Sequence, residues 1–180
     1  EVNGLLAAKR LLLKSGTIMD ATIIAAPSST KNVTESRDPE MRQARKGKTW
    51  HFGMKVHIGV DAQSGLVHTL IGTPANVHDV TQAQALLHGD ETDVFGDAGY
   101  LGVEKREENL ALPVTWHIAM RPSKRKALPK TPAGELMEKL EHAKASIRAK
   151  VEHPFRVVKN LFMHRKTRYK GMAKNNAQMF

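Results

Sequence analysis

The sequence contains no cysteine, which excludes disulfides, thiolate zinc sites and a cysteine nucleophile. That absence suits a reducing compartment. Aromatic residues make up only 5% of the chain, with two Trp, two Tyr and five Phe, so a core must rest on Leu, Val, Ile, Met and Ala. No apolar run approaches the roughly 18 residues of a membrane span. The opening stretch, with Lys9 and Arg10 among its leucines, lacks the order of a signal peptide. These absences predict a soluble, cytoplasmic protein without a membrane partner.

What is present is ordinary in amount and unusual in arrangement. The 180 residues suffice for one domain with a buried core, and 41% hydrophobic and 26% charged residues fit a folded chain. The net charge of +10 is unevenly spread. Positions 144–180 hold ten Lys or Arg and a single acid, Glu152, whereas positions 76–112 hold eight acids against Lys105 and Arg106. A basic surface around an acidic middle favours a polyanionic partner, because each neutralised phosphate releases counterions. A solvated or ribosome-associated basic face is the plainer alternative.

Periodicity gives the order of elements. A short helix is expected over 1–13 and a buried, β-branched strand over 17–25. The polar stretch 27–48 reads as a flexible loop. In 50–60, Phe52, Met54, Val56, Ile58 and Val60 alternate with more polar residues. A Gly-closed turn and a second run over 66–72 complete a hairpin. A helix over 79–87 with Val80, Ala83 and Leu87 inward, a strand over 92–95, a helix over 104–110 and a strand over 114–120 follow. After a basic link at 121–131, Leu136, Leu140, Ala143, Ile147, Val151, Phe155, Val158 and Phe162 form one long helical stripe. Pro154 inside it predicts a bend or restart just after Glu152. The predicted class is mixed α/β.

Three acids stand out. Asp20 lies inside an apolar strand, where an unpaired carboxylate is costly. Asp97 follows a strand between glycines that permit close approach. Glu152 shares a polar helix face with Arg148, Arg156 and Lys159. Each also has a structural reading: an edge-strand residue, a turn aspartate, a glutamate paired with arginines. Taken together they suit two Mg²⁺ or Mn²⁺ ions roughly 3.5–4 Å apart, which stabilise the attacking and leaving oxygens of a phosphodiester. Without a cation, three such carboxylates repel and raise one or more of their pKa values.

Other motifs fail. Gly47-Lys48-Thr49 resembles the end of a P-loop, but Arg42 stands in place of its first glycine and a strand follows instead of a helix. Among nine histidines no pair has a convincing zinc-ligand spacing, His78 and His153 being the ones to watch. Asn32-Val33-Thr34 fits a glycosylation triplet without meaning in the cytoplasm.

The stretches GTIMDATIIAAPSSTKN, DPEMRQARKGKTWHFGMKVHIGVD, ANVHDV, VFGDAGYLG and IRAKVEHPFRVVKNLF span most of the chain. In that order they resemble the DDE transposases of bacterial insertion sequences, in the insertion sequence four and five group. The resemblance implies a ribonuclease-H-like fold with a central mixed sheet flanked by helices. It puts the first Asp on the first strand, the second after the fourth and the Glu on a late helix, matching Asp20, Asp97 and Glu152 as catalytic and metal-holding residues. The family's Tyr, Arg, Glu, Lys pattern falls on Ala145, Arg148, Glu152 and Lys159, the tyrosine being replaced. DNA-contacting residues are then expected at Arg148, Arg156, Lys159, Lys46, Lys48 and Lys55. The implied partners are transposon ends and target DNA, held by a homo-oligomer at the bacterial nucleoid, with no small-molecule substrate. The whole chain, 1–180, is expected to be one catalytic domain cut at both ends and lacking the N-terminal end-recognition region of its relatives. A ribonuclease-H-like nuclease or resolvase, and an inactive nucleic-acid-binding fragment, are the rival readings.

Overall fold

A computed structural model describes residues 1–12, 15–33 and 35–179. Leu13 at the end of the expected first helix, Thr34 of the glycosylation triplet and the terminal Phe180 lie outside the described residues. The elements are α1 (Val2–Ala8), β1 (Gly16–Ala25), β2 (Arg42–Lys46), β3 (Thr49–Asp61), β4 (Val67–Pro74), β5 (Asp93–Gly96), β6 (Thr115–Ile118), α2 (Pro122–Lys126), α3 (Pro132–Arg148), α4 (Glu152–Arg156) and α5 (Met172–Met179).

One mixed sheet organises them. β1 is central, antiparallel to β3 with Asp20 opposite Ile58, and parallel to β5, with Thr17 beside Val94 and Ile18 beside Phe95. β6 extends the sheet parallel to β5. The 13 residues of β3 are long enough to hold two strands in tandem on the far edge, β2 along 49–53 and β4 along 54–60. A central strand covered on both faces needs apolar residues at odd and even positions, and β1 has them. Ile18 and Ile24 join Met54, Val56, Ile58 and Val60 on one face, where Val151 and Phe155 pack from the late helix. Met19 joins Val94, Tyr100, Ala83, Leu86 and Val103 on the other. Each fully buried Val, Ile or Phe side chain contributes roughly 1.5–3 kcal/mol. The anchoring of Val151 and Phe155 thus outweighs any exposed ion pair at about 0–1 kcal/mol.

Several expectations are corrected. The 27–48 stretch is not all loop: residues 42–46 form β2 by pairing with β3. Asp38 and Glu40 accept from the backbone N–H groups of Gly171 and Met172 at 2.6 Å each, capping the start of α5. The expected helix at 79–87 is a pair of 3-10 turns, with Ala83 and Leu86 fully buried and Val80 and Leu87 only partly so. The one at 104–110 is likewise two 3-10 turns, and the 121–131 link contains α2. The long stripe engages the sheet only in its second half. Leu136 and Leu140 face solvent, and the buried residues of α3 are Gly134 and Glu141, the latter accepting from Met120 N and from Lys144 Nζ, at 2.8 Å each. The helix tightens to a 3-10 turn over Ala149–Val151 and restarts at Glu152, one step earlier than expected. Pro154 then falls in the first turn of α4, where its missing N–H costs nothing. A π-turn over Val157–Leu161 follows.

The start of α4 is held in place from the sheet. Lys150 Nζ donates to Ala62 O at 2.6 Å and to Gln63 O at 3.1 Å, clasping the turn between β3 and β4. Among the described residues no helix is long and apolar enough to cross a membrane.

Gly53 marks the tightest strand crossing, since a Cβ there would lie 2.1 Å from Ile24 O and 2.9 Å from Ala26 N. Gly53→Ala is expected to lower stability by about 2–3 kcal/mol, read as a lower urea midpoint with an unchanged slope. A midpoint equal to the parent's would contradict the crossing.

Candidate active site

Asp20 occupies the middle of β1 and shares the helix-facing side with Ile18 and Ile24. Its Oδ1 accepts from the N–H of Ala21 at 2.7 Å, and the Arg148 guanidinium lies 3.8 Å from Oδ2. Burial raises its pKa from the ordinary 3.8 to about 6, against the Ala21 amide and Arg148, which lower it, while the charges of Asp97 and Glu152 push it up further. Both other acids therefore act on the same carboxyl.

The sheet explains how. Continuing the parallel register of β1 and β5 by two residues beyond Ile18 and Phe95 brings Asp97 abreast of Asp20, on the neighbouring strand. Adjacent strands lie about 4.8 Å apart. Asp97 leaves β5 in extended conformation, and its Oδ1 accepts from Gly99 N at 2.8 Å. Glu152 arrives from the other side, at the first position of α4, with Val151 and Phe155 holding that segment against the sheet. The expected second Asp follows β5, the fourth strand of the sheet once the added edge strand β2 is set aside.

A fourth acid was missed by the sequence reading. A Cβ on Gly99 would lie 2.8 Å from Asp97 Oδ1 and 3.4 Å from Asp79 Oδ2, so Asp79 reaches the same end of the sheet. Lys55 Nζ donates to Asp79 Oδ1 at 2.8 Å and to Val77 O at 2.6 Å, and the fully buried His57 Nδ1 is 3.7 Å from the same carboxylate. Lys55, expected among the DNA-contacting residues, is thus engaged by Asp79 and only 13% exposed. The available signal was Lys55 itself, a lysine on a strand covered on both faces, which requires a partner. Tyr100 lies beside this group. Its burial, then Asp79, Asp20 and Asp97, push the phenol pKa well up.

Beside Glu152 opens a groove of about 590 Å³, lined among others by Lys46, Phe155, Arg156, Lys159 and Arg165. Burial and the neighbouring Lys46 and Arg165 depress the Lys159 pKa, against the pull of Glu152. Arg148 points to Asp20 and not into this groove, and Lys48 is exposed in the turn after β2. Gly47, at φ 61°, closes that turn ahead of β3, so the Gly-Lys-Thr triplet opens no helix.

A central mixed sheet flanked by helices is the ribonuclease-H-like architecture, here with Asp20 in the middle of β1 and Asp97 just beyond the end of β5. Residues 12–180 match the family model of the transposase DDE domain, and the chain belongs to that family.

The Asp20 shift has a sign that can be checked. A carboxyl whose folded pKa is raised keeps its proton while the unfolded chain loses it. Full stability is therefore present below about pH 3.8 and falls as pH rises toward about 6. At 1.36 kcal/mol per unit the loss is about 2–3 kcal/mol. In chelator, Asp20→Asn is expected to be more stable than the parent by about that amount at pH 8, with the advantage shrinking below pH 5. Parallel pH–stability curves for the two proteins would count against it.

Proposed function

We propose that the chain carries out metal-dependent DNA strand cleavage and transfer of the resulting 3′ hydroxyl into target DNA. The observation that carries this reading is the convergence of Asp97 and Glu152 on Asp20 at the end of a cationic groove. Three carboxylates are a hard oxygen donor set suited to Mg²⁺ or Mn²⁺. The buried Tyr100 hydroxyl and Arg148 Nε beside them have no hydrogen-bond partner, which fits a polar occupant. Asp20, Asp97 and Glu152 are the residues that would hold two ions. When bound, these supply charge stabilisation at the attacking and leaving oxygens and a more acidic water.

The other side chains have distinct tasks in this reading. Lys46, Arg156, Lys159 and Arg165 engage backbone phosphates and set the register of the strand without reading its sequence. Lys48 extends that surface at the rim. Arg148 orients Asp20 by charge, and Lys55 holds Asp79 toward the site. The substrates are transposon ends and target DNA of an insertion sequence of the four and five group. An oligomer in the bacterial cytoplasm, bound at the nucleoid, brings paired ends together.

Asp97→Asn is expected to abolish Mg²⁺-dependent nicking and joining of end-containing duplexes while DNA retention stays within about twofold. Nicking at the parent's rate would remove Asp97 from the site, and parental hydrolysis without joining would favour a nuclease. DNA binding with no Mg²⁺-dependent nicking would leave only a nucleic-acid-binding fragment. Replacing both Lys46 and Lys159 with Ala should weaken binding and reduce the log–log salt slope by about 2. An unchanged slope would place the phosphates elsewhere.

A further inference from the structure

On the opposite face of β1, three residues from Asp20 and so about 10 Å away, lies a second polar cluster, its histidines partly buried and its glutamate buried. His68 of β4, and His88 and Glu91 of the turn leading into β5, each present a ligand atom, all within 4.8 Å of one another. The two imidazoles meet edge to face, with centroids 4.9 Å apart. Glu91 is a buried residue, 4% exposed, and among the described residues no lysine or arginine pairs with it. Its oxygens accept from Thr17 Oγ1 at 2.9 Å and from the N–H groups of His88 and Gly89 at 2.7 and 2.8 Å. Burial pushes its pKa up, but these donors outweigh burial and keep it ionised. A buried carboxylate normally faces a cation or a metal, and here it faces two imidazoles.

We propose that His68, His88 and Glu91 form a structural site for a borderline divalent transition ion such as Zn²⁺, separate from the carboxylate cluster. Two imidazole nitrogens and one carboxylate oxygen select zinc-like ions over Mg²⁺. Tetrahedral zinc with bonds of about 2.0–2.1 Å holds its ligand atoms about 3.3 Å apart, and His88 Nε2 already lies 3.4 Å from Glu91 Oε1. That nitrogen is buried and, among the described residues, makes no hydrogen bond. Thr17 Oγ1, also 3.0 Å from His68 Nε2, faces the same point, and it or a water supplies a fourth ligand. His68 Nδ1 meets Thr69 Oγ1 at 2.9 Å, an outer contact that fixes the ring. The ring fits only because β3 has glycine beneath it: a Cβ on Gly59 would lie 2.7 Å from His68 Cε1.

The ion would join β4, β1 and the segment that enters β5 two residues after Glu91, bracing the β1–β5 register. The test is titration of the chelator-stripped chain with Zn²⁺ alone, then buffer exchange and metal analysis. One retained zinc per chain is expected in the parent and in Asp97→Asn, with affinity at least about tenfold weaker in His88→Ala and Glu91→Gln. Co²⁺ should give the intense visible bands of a tetrahedral site in the parent, a readout that needs no variant to fold. A parent that retains no zinc, or a His88→Ala protein that retains it equally well, would overturn the site. Loss of zinc in Asp97→Asn would assign the ion to the carboxylate cluster instead. These outcomes do not depend on any DNA chemistry.

Discussion

Two carboxylates held on adjacent parallel strands are the constraint from which the rest of the site follows. The register of β1 with β5, continued two residues beyond their last pair, brings Asp97 abreast of Asp20. Burial raises the Asp20 pKa most, and the neighbouring Asp97 charge pushes it further in the same direction. The surroundings answer that repulsion with Arg148 over Asp20 and an amide donor to each acid.

The central strands were legible because their patterns are physically unambiguous. β1 is apolar at odd and even positions, and β3 alternates over a long run, so both read correctly from residue types alone. Asp20 stood out as the charge that the strand could not otherwise excuse. The short connections were not legible. Segments 79–87 and 104–110 read as helices, but each is too short for a stable α-helix of its own, and each closes as 3-10 turns that still bury Ala83 and Leu86 in the first case and Val103 in the second. The stripe on α3 misled for a different reason. Periodicity reports a face, and only packing decides which face is covered; here Glu141 takes the inner position by binding the backbone after β6. Asp79 was hidden because its partner, Lys55, is far off in sequence.

Charge behaved similarly. The C-terminal run of lysines and arginines was visible in one dimension, yet the groove is made by joining part of it with Lys46 from β2, a strand concealed in a stretch that reads as loop. Burial, and after it the neighbouring Lys46 and Arg165, depress the Lys159 pKa, in keeping with its place in the groove.

The Lys150 clasp links two parts of the molecule that would ordinarily vary independently. Surface hairpin turns tolerate insertion and deletion, but this one supplies the two carbonyls that fix where the late helix begins again. Lengthening the turn by a residue would move those acceptors, and with them the point from which Glu152 is projected toward Asp20. The loop at 61–65 therefore behaves as a ruler, and its length is part of the geometry of the acids although none of its side chains reaches them.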